Sequence, residues 1–425
     1  MPDGFIMSRI RAIISNRFPA LASRDFAIFW GGHLLSLIGT SMQNTAQPLL
    51  AYRISGRPFD LGLIGFALTL PAFFLALPGG VWIERWDKRK TVIILQIVMM
   101  FDTLALAALT LTGRVQIWHI VLLAFILGIA TAFEVTARQS MLIELVGRDA
   151  LPNAIALQST AFNISRVIGP SLAAPFLLIF TNGEGWIFLV NGLSFIAIII
   201  GLTFVRTRYK EETLPPPASF LQQLRDGQKY IARTTSVGMI ILIAAILALF
   251  ALPITQQIPV LAKDVLASPG EAKSIVDARN STLYVAQGAG ALVAAFLVTM
   301  NNSTRWHRPR LLLGEAAFLL GMLGMGFVRV PWIAYLLIAF MGWGSVTQLA
   351  TMNTLIQLQV PNELRGRVFG MYLWALNGAA PLGSLMIGWM TQTWGLPVTA
   401  LTCGTICLIG IGGIQIFKPP VKGSG

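Results

Sequence analysis

Ionisable side chains inside long apolar runs are the residues of this sequence best placed to do chemistry. Asp102 and Arg166 lie deep within two such runs, and Glu315 and His33 lie nearer to the ends of two others. Charged groups at membrane depth are energetically costly, so they usually bind protons, ions or substrates, or form ion pairs with one another. If Asp102 and Arg166 are paired, the pair is structural. If they are apart, burial favours protonated Asp102, which could then carry a proton.

Uncharged amides and aromatic residues inside the runs form a second candidate group. Amides cannot face lipid without partners, so they are expected to point inward, where they either contact a cargo or bond helix to helix. Gln43 and Gln47 share one helix face because they are four residues apart. The predicted cavity residues are Gln43, Asn44, Gln47, Asn163, Gln256, Gln257, Tyr284, Gln287, Trp343, Gln348, Trp374 and Asn377.

The composition indicates what must position these side chains. The 425-residue chain is 55% hydrophobic and 12% charged, whereas a soluble domain carries about 25% charged residues. An all-α membrane protein is therefore predicted. The net charge of +13 is explained better by basic loops on one side of a membrane than by nucleic acid, which is not an expected partner.

Apolar runs of membrane-spanning length predict twelve transmembrane helices in two six-helix bundles. The predicted divisions are an amphipathic segment at 1–25, a first bundle at 26–205, a cytoplasmic linker at 206–236, a second bundle at 237–417 and a tail at 418–425. The fourth, fifth and seventh spans are predicted at 116–137, 153–181 and 237–262. Most of the 31 Lys and Arg residues fall on the side of the N-terminus, so both termini are predicted to be cytoplasmic.

A charged stretch between two apolar runs carries the clearest motif. Residues 79–90 read GGVWIERWDKRK. This resembles the loop between helices 2 and 3 of the major facilitator superfamily, roughly Gly-x-x-x-Asp-Arg-x-Gly-Arg-Lys/Arg. Glu84 stands where that family usually has Asp, and Asp87 where it usually has Gly. The residues that fit the motif are Gly80, Arg85, Lys88, Arg89 and Lys90.

Further strings resemble the enterobactin-exporter-like, or transmembrane secretion effector, branch of that superfamily. They read RDFAIFW at 24–30, LIGTSMQN at 37–44, LPNAIAL at 151–157, RVIGP at 166–170 and ELRGRVF at 363–369. The resemblance implies a major facilitator fold and an exporter of drugs or siderophores driven by proton exchange. The string GPSLAA at 169–174 departs from the antiporter motif Gly-Pro-x-x-Gly-Gly, because two alanines replace its last two glycines.

The same resemblance implies a cytoplasmic gate that contains Gly80, Glu84, Arg85, Arg89 and Glu134. Glu84 is expected to bind the N-terminus of helix 11, near residues 365–369, where the helix dipole favours an anion. Arg85 and Arg89 are expected to hold Glu134. The alternative is that these charges only set the topology; Glu84 argues against it, since an acid adds nothing to a positive-inside signal.

The sequence therefore predicts a secondary active transporter of the bacterial inner membrane. It would export a bulky amphiphile, such as a siderophore or drug, by alternating access and in exchange for protons. The alternatives are a lipid or lysophospholipid flippase of the same fold and, more remotely, a non-transporting receptor or assembly protein. The expected partners are a small-molecule cargo, protons and the lipid bilayer, and a monomer is expected. No enzyme, cofactor, catalytic residue or metal site is predicted, because no Walker loop or Ser/His/Asp constellation occurs.

Overall fold

The computed structural model describes residues 19–84, 86–205, 228–300 and 304–417, and the regular elements within these ranges are all helical. A single helical turn, Pro19–Ala22, precedes the first long helix. The first six long helices are α1 Arg24–Ser55, α2 Pro58–Glu84, α3 Lys88–Leu111, α4 Ile117–Gly147, α5 Asp149–Ile179 and α6 Gly183–Phe204. The other six are α7 Thr235–Phe250, α8 Lys273–Met300, α9 His307–Gly324, α10 Pro331–Gln359, α11 Asn362–Trp394 and α12 Leu396–Phe417.

Local sequence explains where several of these helices begin and end. The Ser23 hydroxyl accepts a hydrogen bond from the Phe26 N–H at the start of α1, and Gly56, with φ 62°, ends that helix. The Asp87 carboxylate accepts from the Lys90 N–H at 3.0 Å and caps α3. The acid that departs from the loop motif at position 87 therefore starts the third helix.

One predicted boundary is wrong, and one predicted span is irregular. The predicted loop between the fourth and fifth spans, 138–152, is helical, and α4 and α5 are separated by a sharp break at Gly147, whose φ of 74° and ψ of 174° favour glycine. The predicted seventh span, 237–262, lies within one stretch long and apolar enough to cross a membrane, Thr235–Val265, but the second half of that stretch is irregular. After α7 the chain forms a 3-10 segment, Leu252–Gln257, and then the short helical turns Ile258–Val260 and Leu261–Val265.

Within the described residues, nine helical stretches are long and apolar enough to cross a membrane. Helices α1, α9 and α11 are not among them. Polar residues explain this for α1, which carries Gln43, Asn44 and Gln47, and for α9, which begins with Arg308 and Arg310. The arrangement of two groups of six long helices is consistent with the predicted twelve spans.

Two helix pairs bring the first six helices against the last six. Helix α2 packs on α11, where an added methyl group at Gly62 would collide with the Ser384 carbonyl. Helix α5 packs on α8, where one at Gly288 would collide with the Arg166 carbonyl. We call the end of the protein at which α1 ends and α2 begins the outer end, following the predicted orientation.

Candidate functional site

A central cavity lies between the two groups of helices. It consists of two adjoining spaces of about 210 Å³ and 280 Å³, which share Asn44 and Tyr284 as lining residues. The first six helices contribute α1, α2, α4 and α5 to the wall, and the last six contribute α8 and the segment after α7. The predicted cavity residues that line it are Asn44, Gln47, Gln256, Tyr284 and Gln287.

Helix α1 supplies the largest polar share of this wall. Thr40, Ser41, Asn44 and Gln47 all line the cavity. Asn44 is three or four residues away from each of the other three, which places them on one side of the helix. The signal in the sequence is the amide groups themselves, which cannot face lipid without partners. An apolar surface lies opposite, from Leu61, Ile64 and Leu68 of α2 among others.

Among the described residues that line this cavity, only Arg166 has a charged side chain. Its guanidinium carbon lies 6.0 Å from the centre of the Phe162 ring, a distance at which the ring face attracts a cation. No salt bridge involves Arg166 within the described part of the chain. The cavity therefore offers one positive charge, several amides and a large apolar wall.

Asp102 is separate from Arg166 in this structure. Its side chain is buried, and one carboxylate oxygen has no hydrogen-bond partner among the described residues. No salt bridge joins the two residues. The arrangement matches the predicted alternative in which the pair is not formed.

Gln43 connects helices rather than lining the cavity. Its carbonyl oxygen accepts hydrogen bonds from Asn191 at 2.6 Å and Thr103 at 3.3 Å, and its amide donates to Gln47 at 3.0 Å. These bonds join α1, α3 and α6. Sequence reasoning missed Asn191 and Thr103, because only the folded structure brings three distant segments to one point.

The other predicted cavity residues lie outside the wall of the central cavity. The Asn163 amide donates to the Ser159 carbonyl within α5 at 2.8 Å. Trp374 stacks on Phe73 at 5.2 Å between ring centres, which joins α11 to α2. Gln348 is fully buried, and neither side-chain polar atom has a partner among the described residues. Two more, Trp343 and Asn377, are half-buried.

Charged residues at the outer end join the two groups of helices. The Arg53 guanidinium, at the end of α1, donates to both oxygens of Asp277 on α8, at 2.9 and 3.0 Å. It also pairs with Glu184 on α6. Both carboxylates are buried, and their ion pairs with Arg53 offset the cost of burying their charges. The sequence alone did not single out this cluster, which forms only through long-range contacts.

Three further hydrogen bonds join the two groups of helices at the outer end. The Tyr52 hydroxyl donates to Asp264, and the Phe59 N–H donates to the Gln392 side chain at 3.3 Å. The Gln257 amide donates to the Pro58 carbonyl at 3.4 Å. These three bonds also connect the first six helices with the last six at the outer end.

A second arginine near the outer end, Arg279, connects α8 with the preceding loop. Its guanidinium donates to both Glu271 oxygens, at 2.6 and 2.8 Å, and to the Ala262 carbonyl at 3.1 Å. The hydrogen bonds from Arg279 hold the pKa of Glu271 below its usual value.

The predicted inner gate is only partly described. Arg85, the side chain of Glu84 and the surroundings of Gly80 lie outside what the structure describes. The Arg89 guanidinium donates to the Leu202 and Thr203 carbonyls, each at 2.7 Å, and so holds the end of α6.

The structure does not bring Arg89 and Glu134 together. Glu134 instead accepts from Arg138 at 2.9 Å and Gln96 at 3.2 Å. Arg138 also donates to Gln158 at 3.1 Å, which links α4 to α5.

Two other ionisable residues have local roles in the structure. Glu315 is buried and accepts from the Gln415 amide at 3.0 and 3.1 Å, which joins α9 to α12. His33 is buried and stacks on Phe29 at 5.5 Å between ring centres. Within the described residues, no group of three or more His, Cys, Asp or Glu side chains is arranged to hold a metal ion.

Comparison with known proteins identifies the fold and the family. The model of the transmembrane secretion effector family matches residues 15–422. The chain is 26% identical to the enterobactin exporter EntS of Shigella boydii over 83% of this chain and 82% of that protein. It is 22% identical to the multidrug efflux pump Tap of Mycolicibacterium fortuitum over 90% of this chain and 93% of that protein.

Solved structures agree on the architecture. The nucleoside transporter NupG superposes with a TM-score of 0.68 at 12% identity, covering 92% of this chain and 98% of that one. This likeness, with the helices described above, confirms the predicted all-α membrane protein of the major facilitator fold. The chain belongs to the transmembrane secretion effector family, a family of membrane transporters.

Proposed function

We propose that this protein exports a bulky amphiphilic molecule, siderophore-like or drug-like, across the bacterial inner membrane in exchange for protons. The observation that carries the proposal is the central cavity, whose wall combines residues of both groups of helices. A site built in this way changes shape when the two groups rock against each other, as alternating access requires. The relatives named for enterobactin export and multidrug efflux support the same direction of transport.

The cavity wall favours a particular class of cargo. Arg166 supplies a buried positive charge, and Asn44 and Gln287 supply amide donors and acceptors beside it. The α2 side of the wall is apolar. A cargo with an anionic or strongly electron-rich polar group and a large apolar or aromatic body fits both surfaces. A multiply cationic molecule does not, because no carboxylate lines the described wall.

The outer contacts suggest how access alternates. Arg53, Tyr52 and Phe59 of the first half bond Asp277, Asp264 and Gln392 of the second. We propose that these bonds form the outer gate, which must break to release cargo outward. The charged loop at 79–90 is proposed as the matching inner gate, with Glu84 and Arg85 as its principal residues.

Asp102 is proposed as the proton carrier. A buried carboxyl group without a salt bridge is neutralised at low energetic cost, since burial penalises the charged form. Its neighbour in sequence, Thr103, bonds Gln43, which in turn bonds the cavity residue Gln47. A small displacement of α3 on protonation of Asp102 is proposed to reach the cargo site through these two hydrogen bonds.

A transport assay tests the function directly. The purified protein is reconstituted into liposomes with an inward-directed or outward-directed pH gradient, and the movement of a catecholate siderophore, a macrolide and a fluorescent lysophospholipid is measured. The proposal predicts gradient-dependent movement of one of the first two, reduced at least tenfold in Arg166→Gln for an anionic cargo. The matched control Arg114→Gln removes an exposed loop charge and is expected to transport normally.

The other outcomes of this assay are equally informative. Movement of the lysophospholipid alone identifies a flippase of the same fold and overturns the exporter proposal. No movement of any probe, together with a normal cellular phenotype for Arg85→Ala, identifies a non-transporting receptor or assembly protein.

A further inference from the structure

A lipid-facing groove lies between α2 and α4, apart from the central cavity. It has a volume of about 830 Å³ and opens on the outer half of the first six helices. Ser55, Arg57, Asp60 and Trp118 line its outer mouth, and Leu63, Phe66, Leu70, Leu122 and Phe125 line its body. The transport mechanism uses none of these residues.

The groove exists because α2 and α4 touch at one level and separate beyond it. At Gly128 of α4, an added methyl group would collide with the Leu68 carbonyl of α2, so the helix backbones are in contact there. Outward of that crossing, large side chains occupy both helices, and Trp118 and Leu122 expose 58% and 49% of their surface. The crossing closes the inner end of the groove, and its outer end is open.

The length of the groove matches one leaflet of a bilayer. Asp60 and Leu70 are ten residues apart on α2, which corresponds to about 15 Å at 1.5 Å per residue. The hydrocarbon core of a bilayer is about 30 Å thick. An acyl chain that starts at the mouth therefore reaches the crossing near the bilayer centre.

The mouth of the groove carries two opposite charges. Arg57 is exposed, and its side chain is in no described salt bridge. Asp60 is buried against the protein yet lines the groove, and no described salt bridge neutralises it. A phosphate binds a guanidinium well, and a primary ammonium donates hydrogen bonds to a carboxylate. A lipid headgroup that carries a phosphate next to a primary ammonium matches Arg57 and Asp60.

We propose that the groove between α2 and α4 is a binding site for an outer-leaflet phospholipid with an ethanolamine headgroup. Its phosphate lies at Arg57, its ammonium lies at Asp60, and one acyl chain fills the groove to the Gly128 crossing. The site holds a lipid rather than the transported cargo, because the groove faces the membrane and not the space between the two groups of helices.

Photolabelling of the full-length protein in lipid nanodiscs tests this assignment. Three probes with the same photoactivatable acyl chain carry ethanolamine, choline or glycerol headgroups, and labelling is read by mass spectrometry of the peptide around residues 117–125. Choline keeps the charges of ethanolamine but has no N–H donor, and glycerol has no cation. The proposal predicts that the ethanolamine probe labels this peptide about tenfold more than either other probe.

Variants separate the contributions of the two charges. Asp60→Asn is expected to reduce the preference for ethanolamine to about twofold or less. Arg57→Gln is expected to lower labelling by all three probes, and Leu122→Trp, which fills the groove, to do the same. Arg114→Gln removes an exposed charge in the loop between α3 and α4 and is the matched control, with labelling unchanged.

Equal labelling by the three headgroups overturns the proposal, as does a stronger preference for the glycerol headgroup. A loss of labelling in Arg114→Gln equal to that in Arg57→Gln also overturns it, because the effect would then come from surface charge in general. If Asp60→Asn does not fold, the exposed Arg57→Gln and the headgroup comparison still decide the question.

Discussion

Replacing Arg53 with Gln is expected to open the outer end of the protein. In the structure, the Arg53 guanidinium holds both oxygens of Asp277 across the boundary between the two halves. It also pairs with Glu184 within its own half. The variant keeps a side chain of similar length but removes the charge, so Asp277 stays buried without its hydrogen-bonded ion pair and keeps only the electrostatic attraction of Lys273. The closed outer end loses stability, whereas the open state, in which water reaches Asp277, does not.

The size of the effect follows from the exposure of the pair. Hydrogen bonds to charged groups contribute about 1.5–3 kcal/mol when shielded from water, and exposed ion pairs contribute about 1 kcal/mol or less. The Arg53 side chain is 28% exposed and that of Asp277 is 4% exposed, so we expect about 2 kcal/mol. This corresponds to a shift of roughly 30-fold in the ratio of open to closed outer ends.

Cysteine accessibility measures this ratio. Thr255 lines the central cavity, and the two native cysteines, Cys403 and Cys407, are buried. A Thr255→Cys variant is therefore labelled by a membrane-impermeant maleimide, added from outside, mainly when the outer end opens. Arg53→Gln is expected to raise the labelling rate by about one order of magnitude or more. Asp277→Asn is expected to do the same, and the double variant to add little, because both changes remove one interaction.

Glu184→Gln is the matched control within the same cluster. It removes the arginine's partner in its own half and leaves the bond between Arg53 and Asp277 in place. We expect its labelling rate to change by less than about threefold. If Arg53→Gln labels at the rate of the parent protein, or if Glu184→Gln opens the protein as strongly, the reasoning about this gate is refuted.

Three further predictions concern the proton carrier, the inner gate and the stability of the outer loop. Asp102→Asn is expected to abolish the dependence of transport on a pH gradient while cargo binding is retained; persistent coupling would exclude Asp102 as the carrier. Glu84→Gln is expected to shift the population toward the inward-facing state, since the proposed contact with α11 loses its charge, and an unchanged cysteine-accessibility pattern at the inner end would contradict that. Arg279 lowers the pKa of Glu271 in the folded protein. The pair therefore stabilises the folded protein at pH values above the ordinary glutamate pKa of about 4.3, and this contribution disappears as the pH falls through the lower folded-state pKa. The melting temperature of the parent protein is thus expected to exceed that of Glu271→Gln near pH 7 and to converge with it in acid; a constant difference across that range would count against the pair.

The overall fold was predictable because the bilayer restricts the possible structures. Spanning segments must be helical and mostly apolar, so the apolar runs identified the long helices. Local breaks were harder to predict. Residues 138–152 carry enough charge to suggest a loop, but the chain there stays helical up to the single sharp turn at Gly147.

The candidate site was predictable where an uncharged amide lies inside an apolar run, because such a group cannot face lipid without a partner. Asn44 and Gln47 were expected to face inward, and both line the cavity. The outer cluster was not predictable, since Arg53, Glu184 and Asp277 come from three separate helices. For the same reason, the sequence predicts Gln43 in the cavity, whereas its partners on α3 and α6 hold it within the first half.

Locking the outer end tests the claim of alternating access most directly. Phe59 and Gln392 meet across the two halves, and a short bis-maleimide can join Phe59→Cys to Gln392→Cys without touching the bond between Arg53 and Asp277. Transport of the cargo by the crosslinked protein in liposomes is then compared with that of the same double variant before crosslinking. The account predicts that crosslinking stops transport while cargo still binds; transport at an undiminished rate through the locked protein would contradict it.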